Sequence, residues 1–449
     1  MDKWKLNSFM FVERIRHVLC THPDKRYVLV RSNIRDFKLL NQIFGFQKGN
    51  EILRCMKKLI MEHERCFEVF DRLHVDQFIF MIEKERYDEI LFKRIAEACS
   101  ELIDNADFCM HFQLGIYEIS DPDMEVLSMC DRAKLAIKSI KIDEPFSVAW
   151  YNESIMEERL YSKKIISEFD KALKEERFLV YLQPQANTKG EIISAEALAR
   201  WRLDDGTVLS PSHFIDILEE SELIWKLDLY MWDKAAKLLS QWKVDPEKKN
   251  LSLSVNISPK DLYYLDIADI MVGLVKKYDI PPSKMNIEIT EYSFVNSPDL
   301  YIDLIKRLHD AGFSIEIDDF GSGYSSLTLL KNIHADVLKL DMGFLQGTED
   351  LIRTEIIIDS VIEMAKRLDM QVISEGVETQ EQAAFLKING CDFFQGFYFS
   401  RPVPLEKFDT VLKAYNLERT NKKSIRPKSL RDLVQENVMP NGVYTSSIA

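Results

Sequence analysis

Between Phe178 and Phe399 one pattern recurs eight times: a short strand-like run followed, in most cases, by a stretch of helical period. The runs are Phe178–Gln183, Ile192–Leu198, Leu251–Ile257, Met285–Thr290, Phe313–Ile317, Val337–Leu340, Gln371–Ser374 and Asp392–Phe399. The stretches Tyr301–Ala311 and Ile352–Leu368 show the helical spacing most clearly. Eight strands with intervening helices in about 260 residues predict a (β/α)8 barrel. A doubly wound sheet is the alternative.

Polar residues recur at the C-terminal ends of these runs: Glu196, Asn256, Glu288 with Glu291, Asp318 with Asp319, Lys339 with Asp341, Glu375 with Glu378, and Gln395. A strand-end cap or a solvated loop charge explains any one of them, but not seven strands in a row. In a barrel these ends share one face, where active sites sit. Clustered carboxylates raise one another's pKa unless a cation sits among them. Lys339 is the only lysine of the set, so the natural counterion is a metal. Carboxylates with one amide oxygen are hard ligands that suit Mg²⁺ or Mn²⁺ better than Zn²⁺. Neighbours in a strand point to opposite faces, so Asp318 and Asp319 both reach one site only if the strand ends there. Gly321 and Gly323 permit that turn. Two metals about 3.5–4 Å apart would stabilise in-line displacement at phosphorus, with Lys339 holding the water or neutralising phosphate charge.

Composition narrows the alternatives. A net charge of −14 over 449 residues argues against a general nucleic-acid coat. The seven cysteines are odd in number and form no C-x-x-C, as expected of free thiols in a reducing cytosol. No run approaches the roughly 18 apolar residues of a membrane span. His74 has no clustered His or Cys partner and reads as a turn residue. The pattern loosens over Asp143–Glu158, a candidate joint, and from Glu418 onward it is polar and basic. Expected domains are 1–150, 155–415 and a tail at 416–449.

At the strand-end residues the sequence closely resembles the EAL-domain phosphodiesterases of bacterial cyclic di-GMP signalling. The signature stands as Glu196-Ala197-Leu198-Ala199-Arg200-Trp201. Ordered blocks accompany it: YLQPQ at Tyr181, PSHFI at Pro211, SVNIS at Ser254, NIEITE at Asn286, IDDFGSGYSSL at Ile317, LKLD at Leu338, SEGVET at Ser374 and QGFYFSRP at Gln395. The resemblance implies a barrel whose first strand is antiparallel, two Mg²⁺ or Mn²⁺ ions, and hydrolysis of cyclic di-GMP to linear pGpG. It implies that Glu196, Asn256, Glu288 and Asp318 bind metal and that Asp319 binds a second ion. Lys339 and Glu375 match the residues that handle the water, Gln395 a supporting residue, and Glu291 the glutamate that anchors the loop after Asp319. Gln183, Leu198, Arg200, Asp341 and Glu378 match positions near the dinucleotide.

The N-terminal region resembles a degenerate GGDEF diguanylate cyclase, which implies a nucleotidyl-cyclase-like α+β domain. Asn33-Ile34-Arg35-Asp36-Phe37-Lys38 stands where that family has D-I-D-x-F-K, so both metal-side aspartates are replaced. Asn41, at the guanine-reading position, and Gly49 remain. The signature loop reads His74-Val75-Asp76-Gln77-Phe78, without the glycines that let backbone amides approach phosphates. Arg65-Cys66-Phe67-Glu68 occupies the place of the inhibitory R-x-x-D site and reads as a surface ion pair. The expectation is a cytoplasmic, homodimeric cyclic di-GMP phosphodiesterase with a cyclase-inactive regulatory or dimerising domain. The alternative is a receptor that binds cyclic di-GMP or a protein partner without turnover.

Overall fold

The run Tyr27–Ile34 (YVLVRSNI) is apolar on both faces, so it needs cover from both sides. The computed structural model provides it, and describes residues 8–103, 108–141, 144–296, 298–321, 327–341, 343 and 351–421. The chain forms two compact units, Met1–Lys163 and Lys164–Ala449.

In the first unit the elements run α1 (Ser8–Thr21), β1 (Tyr27–Ile34), α2 (Phe37–Glu62), β2 (Val69–Arg72), β3 (Phe78–Glu83), α3 (Glu89–Ser100), β4 (Phe112–Glu118), α4 (Val126–Lys138) and β5 (Phe146–Trp150). Helix α5 (Glu153–Lys174) carries the division between the units. The sheet order is β2-β3-β1-β4-β5, with only β4 and β5 parallel. Tyr27 and Leu29 pack with Phe11 and Ile15 of α1 and Met129 of α4. Val28 and Val30 pack on the other face with Ile52 and Met56 of α2 and Phe92 of α3. Within the stretch expected to be a joint, Phe146–Trp150 completes the sheet edge as β5 and Glu153 opens α5; Asp143 lies outside the described residues.

The second unit runs β6 (Phe178–Asn187), β7 (Ile192–Arg202), β8 (Val208–Leu209), α6 (Ile215–Glu220), α7 (Ile224–Trp242), β9 (Ser252–Ile257), α8 (Asp261–Tyr264) and α9 (Ile267–Tyr278). It continues with β10 (Met285–Thr290), α10 (Glu291–Asn296), α11 (Pro298–Asp310), β11 (Ser314–Phe320), α12 (Leu327–Asn332), β12 (Val337–Leu340) and α13 (Leu351–Arg367). It ends with β13 (Gln371–Ser374), α14 (Gln380–Ile388), β14 (Phe393–Gln395), β15 (Val403–Pro404) and α15 (Leu405–Asn421). Strands β6, β7 and β9–β14 close into a barrel in which β6 is antiparallel to both neighbours, as the resemblance implied. The last strand ends at Gln395, earlier than expected. There Gly396 lies so close to Val377 that a Cβ would fall 2.2 Å from its carbonyl oxygen. Helix α15 extends into the expected basic tail, and residues 422–449 lie outside the described residues.

Period-two alternation places the site. Leu253, Val255 and Ile257 of β9, Met285, Ile287 and Ile289 of β10, and Ile315 and Ile317 of β11 belong to the apolar layer under the helices. The alternate positions carry Ser254, Asn256, Asn286, Glu288, Glu316 and Asp318, so the barrel interior is polar. An aromatic cluster forms part of the apolar layer outside it: Trp201 lies 4.8 Å from Phe178 and 5.8 Å from Phe214, ring centre to ring centre. Trp201 is fully buried, and its indole N–H has no hydrogen-bond partner among the described residues. Trp201→Ala should lower unfolding free energy by about 3–5 kcal/mol in denaturant titrations. Trp201→Phe should cost much less, because it keeps the ring contacts and removes an unpaired donor.

Candidate active site

Lys339 of β12 has no exposed surface and points into a ring of carboxylates. Its Nζ lies 2.7 Å from Glu375 Oε1, 2.9 Å from Glu288 Oε1, 2.9 Å from Asp318 Oδ1 and 3.8 Å from Glu196 Oε2. These are ion pairs without the angles of good hydrogen bonds. Glu196 is held at both oxygens: Asn256 Nδ2 donates to Oε1 at 3.1 Å and Gln395 Nε2 to Oε2 at 2.6 Å. Among the described residues, none donates a hydrogen bond to either oxygen of Glu288, which is 1% exposed.

Asp319 joins the cluster by a route the sequence reading did not give. The strand ends at Phe320, one residue past the pair, and just before that end the pairing of β11 with β12 shifts between Ile317 and Phe320 while Asp319 takes φ +56°, in the left-handed region. That bulge re-aims one side chain. Carboxylate oxygens of Asp318, Asp319 and Glu375 then lie within 4.8 Å of one another, close enough to share an ion. Glu291, buried at the start of α10, accepts a hydrogen bond from Gly321 N at 3.2 Å. The rest of the glycine–serine loop, residues 322–326, lies outside the described residues.

One ammonium does not neutralise this many carboxylates. Burial, and next the charge of Glu196, push Glu288 well above the usual range despite Lys339. Burial raises Glu375 to about 8, against the pull of Lys339. Burial and the neighbouring Asp318 raise Asp319 to about 6. Burial alone would lower Lys339, but Asp318, Glu196, Glu288 and Glu375 reverse the direction. The unpaired Glu288 oxygens, the excess negative charge and the all-oxygen donor set fit a hard divalent cation.

Beside the cluster opens a cavity of about 490 Å³, lined by Glu196, Leu198, Asn256 and Asp319 and walled by apolar side chains such as Ile224 and Met231. Half-buried Arg200 stacks its guanidinium over Tyr181, 5.2 Å from the ring centre. Gln183 Oε1 accepts from Gln395 at 3.3 Å. Asp341 is engaged with Gly343 N, and exposed Glu378 precedes the Thr379–Gln382 capping box of α14. Glu316, Asn286, Gln185 and Ser194 were missed as interior residues. Each lies two positions along its strand from an expected site residue, and that spacing was the available signal.

Residues 166–402 match the EAL domain family. The chain belongs to that family. Residues 6–143 match a second family, the diguanylate cyclase GGDEF domain, so the two stand in tandem. The chain is 27% identical over 414 residues to the cyclic di-GMP phosphodiesterase NbdA of Pseudomonas aeruginosa, covering 91% of this chain and 52% of that protein. It is 35% identical over 234 residues to the probable cyclic di-GMP phosphodiesterase PdeA of Escherichia coli, covering 52% of this chain and 32% of that protein. The chain thus spans about half the length of the first of these relatives and a third of the second. A solved structure of the PaMucR phosphodiesterase with c-di-GMP superposes with a TM-score of 0.52 at 28% identity, covering 54% of this chain and 99% of that one. No helix among the described residues is long and apolar enough to cross a membrane.

In the GGDEF unit, amides and a guanidinium form a hydrogen-bonded network. Gln77 donates to Asn33 Oδ1 at 2.9 Å, Arg31 donates to Gln77 Oε1 at 2.7 Å, and Asn33 donates to Gln113 Oε1 at 3.2 Å. Asn41 packs against Gly49, where a Cβ would lie 2.0 Å from its Oδ1. Exposed His74 uses its carbonyl to accept from Arg72. The surface ion pair at Glu68 forms with Arg86, at 3.0 Å, and not with Arg65, whose carbonyl accepts from the same guanidinium.

Removing the charge in Lys339→Met leaves buried carboxylates uncompensated and should cost about 3–5 kcal/mol. Carboxyls raised in the folded state bind protons more tightly there than in the unfolded chain, so stability falls as pH rises through their folded values. The deficit of Lys339→Met, read from thermal melts, should be larger near about pH 8 than near about pH 5.

Proposed function

We propose that this chain is a metal-dependent phosphodiesterase that hydrolyses cyclic di-GMP to linear pGpG. The observation that carries the reading is the convergence of Glu196, Asn256, Glu288, Asp318 and Asp319 on one end of a closed barrel around Lys339. Glu196, Asn256, Glu288 and Asp318 would hold one Mg²⁺ or Mn²⁺, and Asp319 a second. When bound, such ions draw electron density from the phosphoryl oxygens and screen the anionic transition state. Gln183, Leu198, Arg200, Asp341 and Glu378 orient the dinucleotide, with its scissile phosphate towards Lys339. Glu375 accepts the proton of the attacking water, and Lys339 offsets charge on the phosphate. One P–O3′ bond breaks, the 3′ oxygen gains a proton, and the ring opens to a 5′-phosphate. Gln395 keeps Glu196 aimed, and Glu291 fixes the backbone after Asp319 through Gly321.

The GGDEF unit is regulatory or dimerising in this reading. The amide–guanidinium network at Asn33, Gln77 and Arg31 offers no carboxylate pair for metal, which supports an inactive cyclase. Incubation of the full chain with GTP and Mg²⁺ should give no cyclic di-GMP.

Chromatography of cyclic di-GMP incubated with the protein and Mn²⁺ should show pGpG. Glu196→Ala should bring it below detection. Intact substrate with retained binding would favour a receptor. Metal must displace the protons held at Asp319 and Glu375, whose values are about 6 and about 8. Apparent Mn²⁺ affinity should therefore rise across that window, with proton release measurable by calorimetry in buffers of different ionisation enthalpy.

A further inference from the structure

Glu196 sits at the end of a directional hydrogen-bond chain that reaches two residues outside the expected site. Ser194 Oγ donates to Gln185 Oε1 at 2.5 Å, Gln185 Nε2 donates to Gln395 Oε1 at 2.9 Å, and Gln395 Nε2 donates to Glu196 Oε2 at 2.6 Å. Gln185 is fully buried, and Ser194 and Gln395 nearly so. Three barrel strands contribute: β6 carries Gln185, β7 carries Ser194 and Glu196, and β14 carries Gln395.

The sense of this chain is fixed at its carboxylate end. An ionised carboxylate only accepts, so Gln395 must turn its NH₂ towards Glu196. Its carbonyl then faces Gln185, which must answer with its own NH₂. The Gln185 carbonyl is left facing Ser194, whose hydroxyl can donate. Each group has one orientation that satisfies its neighbours, and reversing any amide sets a carbonyl against a carboxylate or another carbonyl. In a buried setting such an unmatched pair costs more than a hydrogen bond contributes.

We infer that Gln185 and Ser194 are positioning residues for the metal site: they lock the Gln395 amide in the orientation that holds Glu196 as an acceptor-only ligand. Asn256 fixes the other Glu196 oxygen, so the two amides leave the carboxylate little rotational freedom. Outer partners of this kind typically change metal affinity or activity about 10–100-fold when removed. The inference rests on the proposed metal-dependent phosphodiesterase.

The test uses the full chain stripped of metal. Gln185→Met keeps the length and apolar bulk of the side chain and removes both hydrogen bonds. Ser194→Ala removes only the terminal donor. Circular dichroism and melting confirm folding, and calorimetry measures Mn²⁺ binding without substrate. Expected results are an Mn²⁺ dissociation constant about 10-fold weaker in Gln185→Met, a smaller loss in Ser194→Ala, and kcat falling more than KM changes. Wild-type affinity and kcat in both variants would mean that Gln185 and Ser194 only fill space, and would overturn the inference alone. A wild-type chain that binds no Mn²⁺ would overturn the metal-site reading and this inference together.

Discussion

A single buried ammonium organises the barrel. Lys339 compensates Glu196, Glu288 and Asp318 from three other strands and Glu375 just past the end of β13, and burying those groups without it would cost several kcal/mol apiece. The interior of a (β/α)8 barrel is usually filled by branched aliphatic side chains. Here the aliphatic side chains of β9, β10 and β11 face the helices, and the interior holds Glu196, Glu288, Glu316, Asp318 and Glu375 with Lys339. The fold therefore carries an electrostatic imbalance at its centre. Burial first, and then the neighbouring carboxylates, push Glu375 and Glu288 upward. A divalent cation would relieve the imbalance.

That imbalance connects stability to function. Positions that would bind metal most strongly are the ones most costly to leave empty. The surrounding structure limits that cost with hydrogen bonds that hold single oxygens: Asn256 and Gln395 on Glu196, and Asn286 on Glu316 at 2.8 Å. The bulge at Asp319 adds a carboxylate that regular pleating would have turned away. In the GGDEF unit the polar side chains of Asn33, Gln77 and Arg31 instead hydrogen-bond one another.

Much of this was legible in the sequence. The eight strands follow from hydrophobic period, and the strand-end carboxylates follow from their repetition. The deeper interior was not legible for a physical reason. Ser254, Asn286 and Glu316 alternate with Leu253, Ile287 and Ile315, a pattern that equally describes a sheet with one wet face. Only closure of β6 on β7 and β14 turns the polar face inward. Asp319 lies one residue from its strand end, as expected, but the shift in backbone pairing that brings its carboxylate to Asp318 and Glu375 left no mark in the sequence pattern.

The most direct measurement is an anomalous-difference map from crystals of the full chain grown with Mn²⁺. The account predicts a peak bounded by Glu196, Asn256, Glu288 and Asp318, and a second beside Asp319. Manganese absent from the barrel, with Lys339 still bridging the carboxylates, would contradict it.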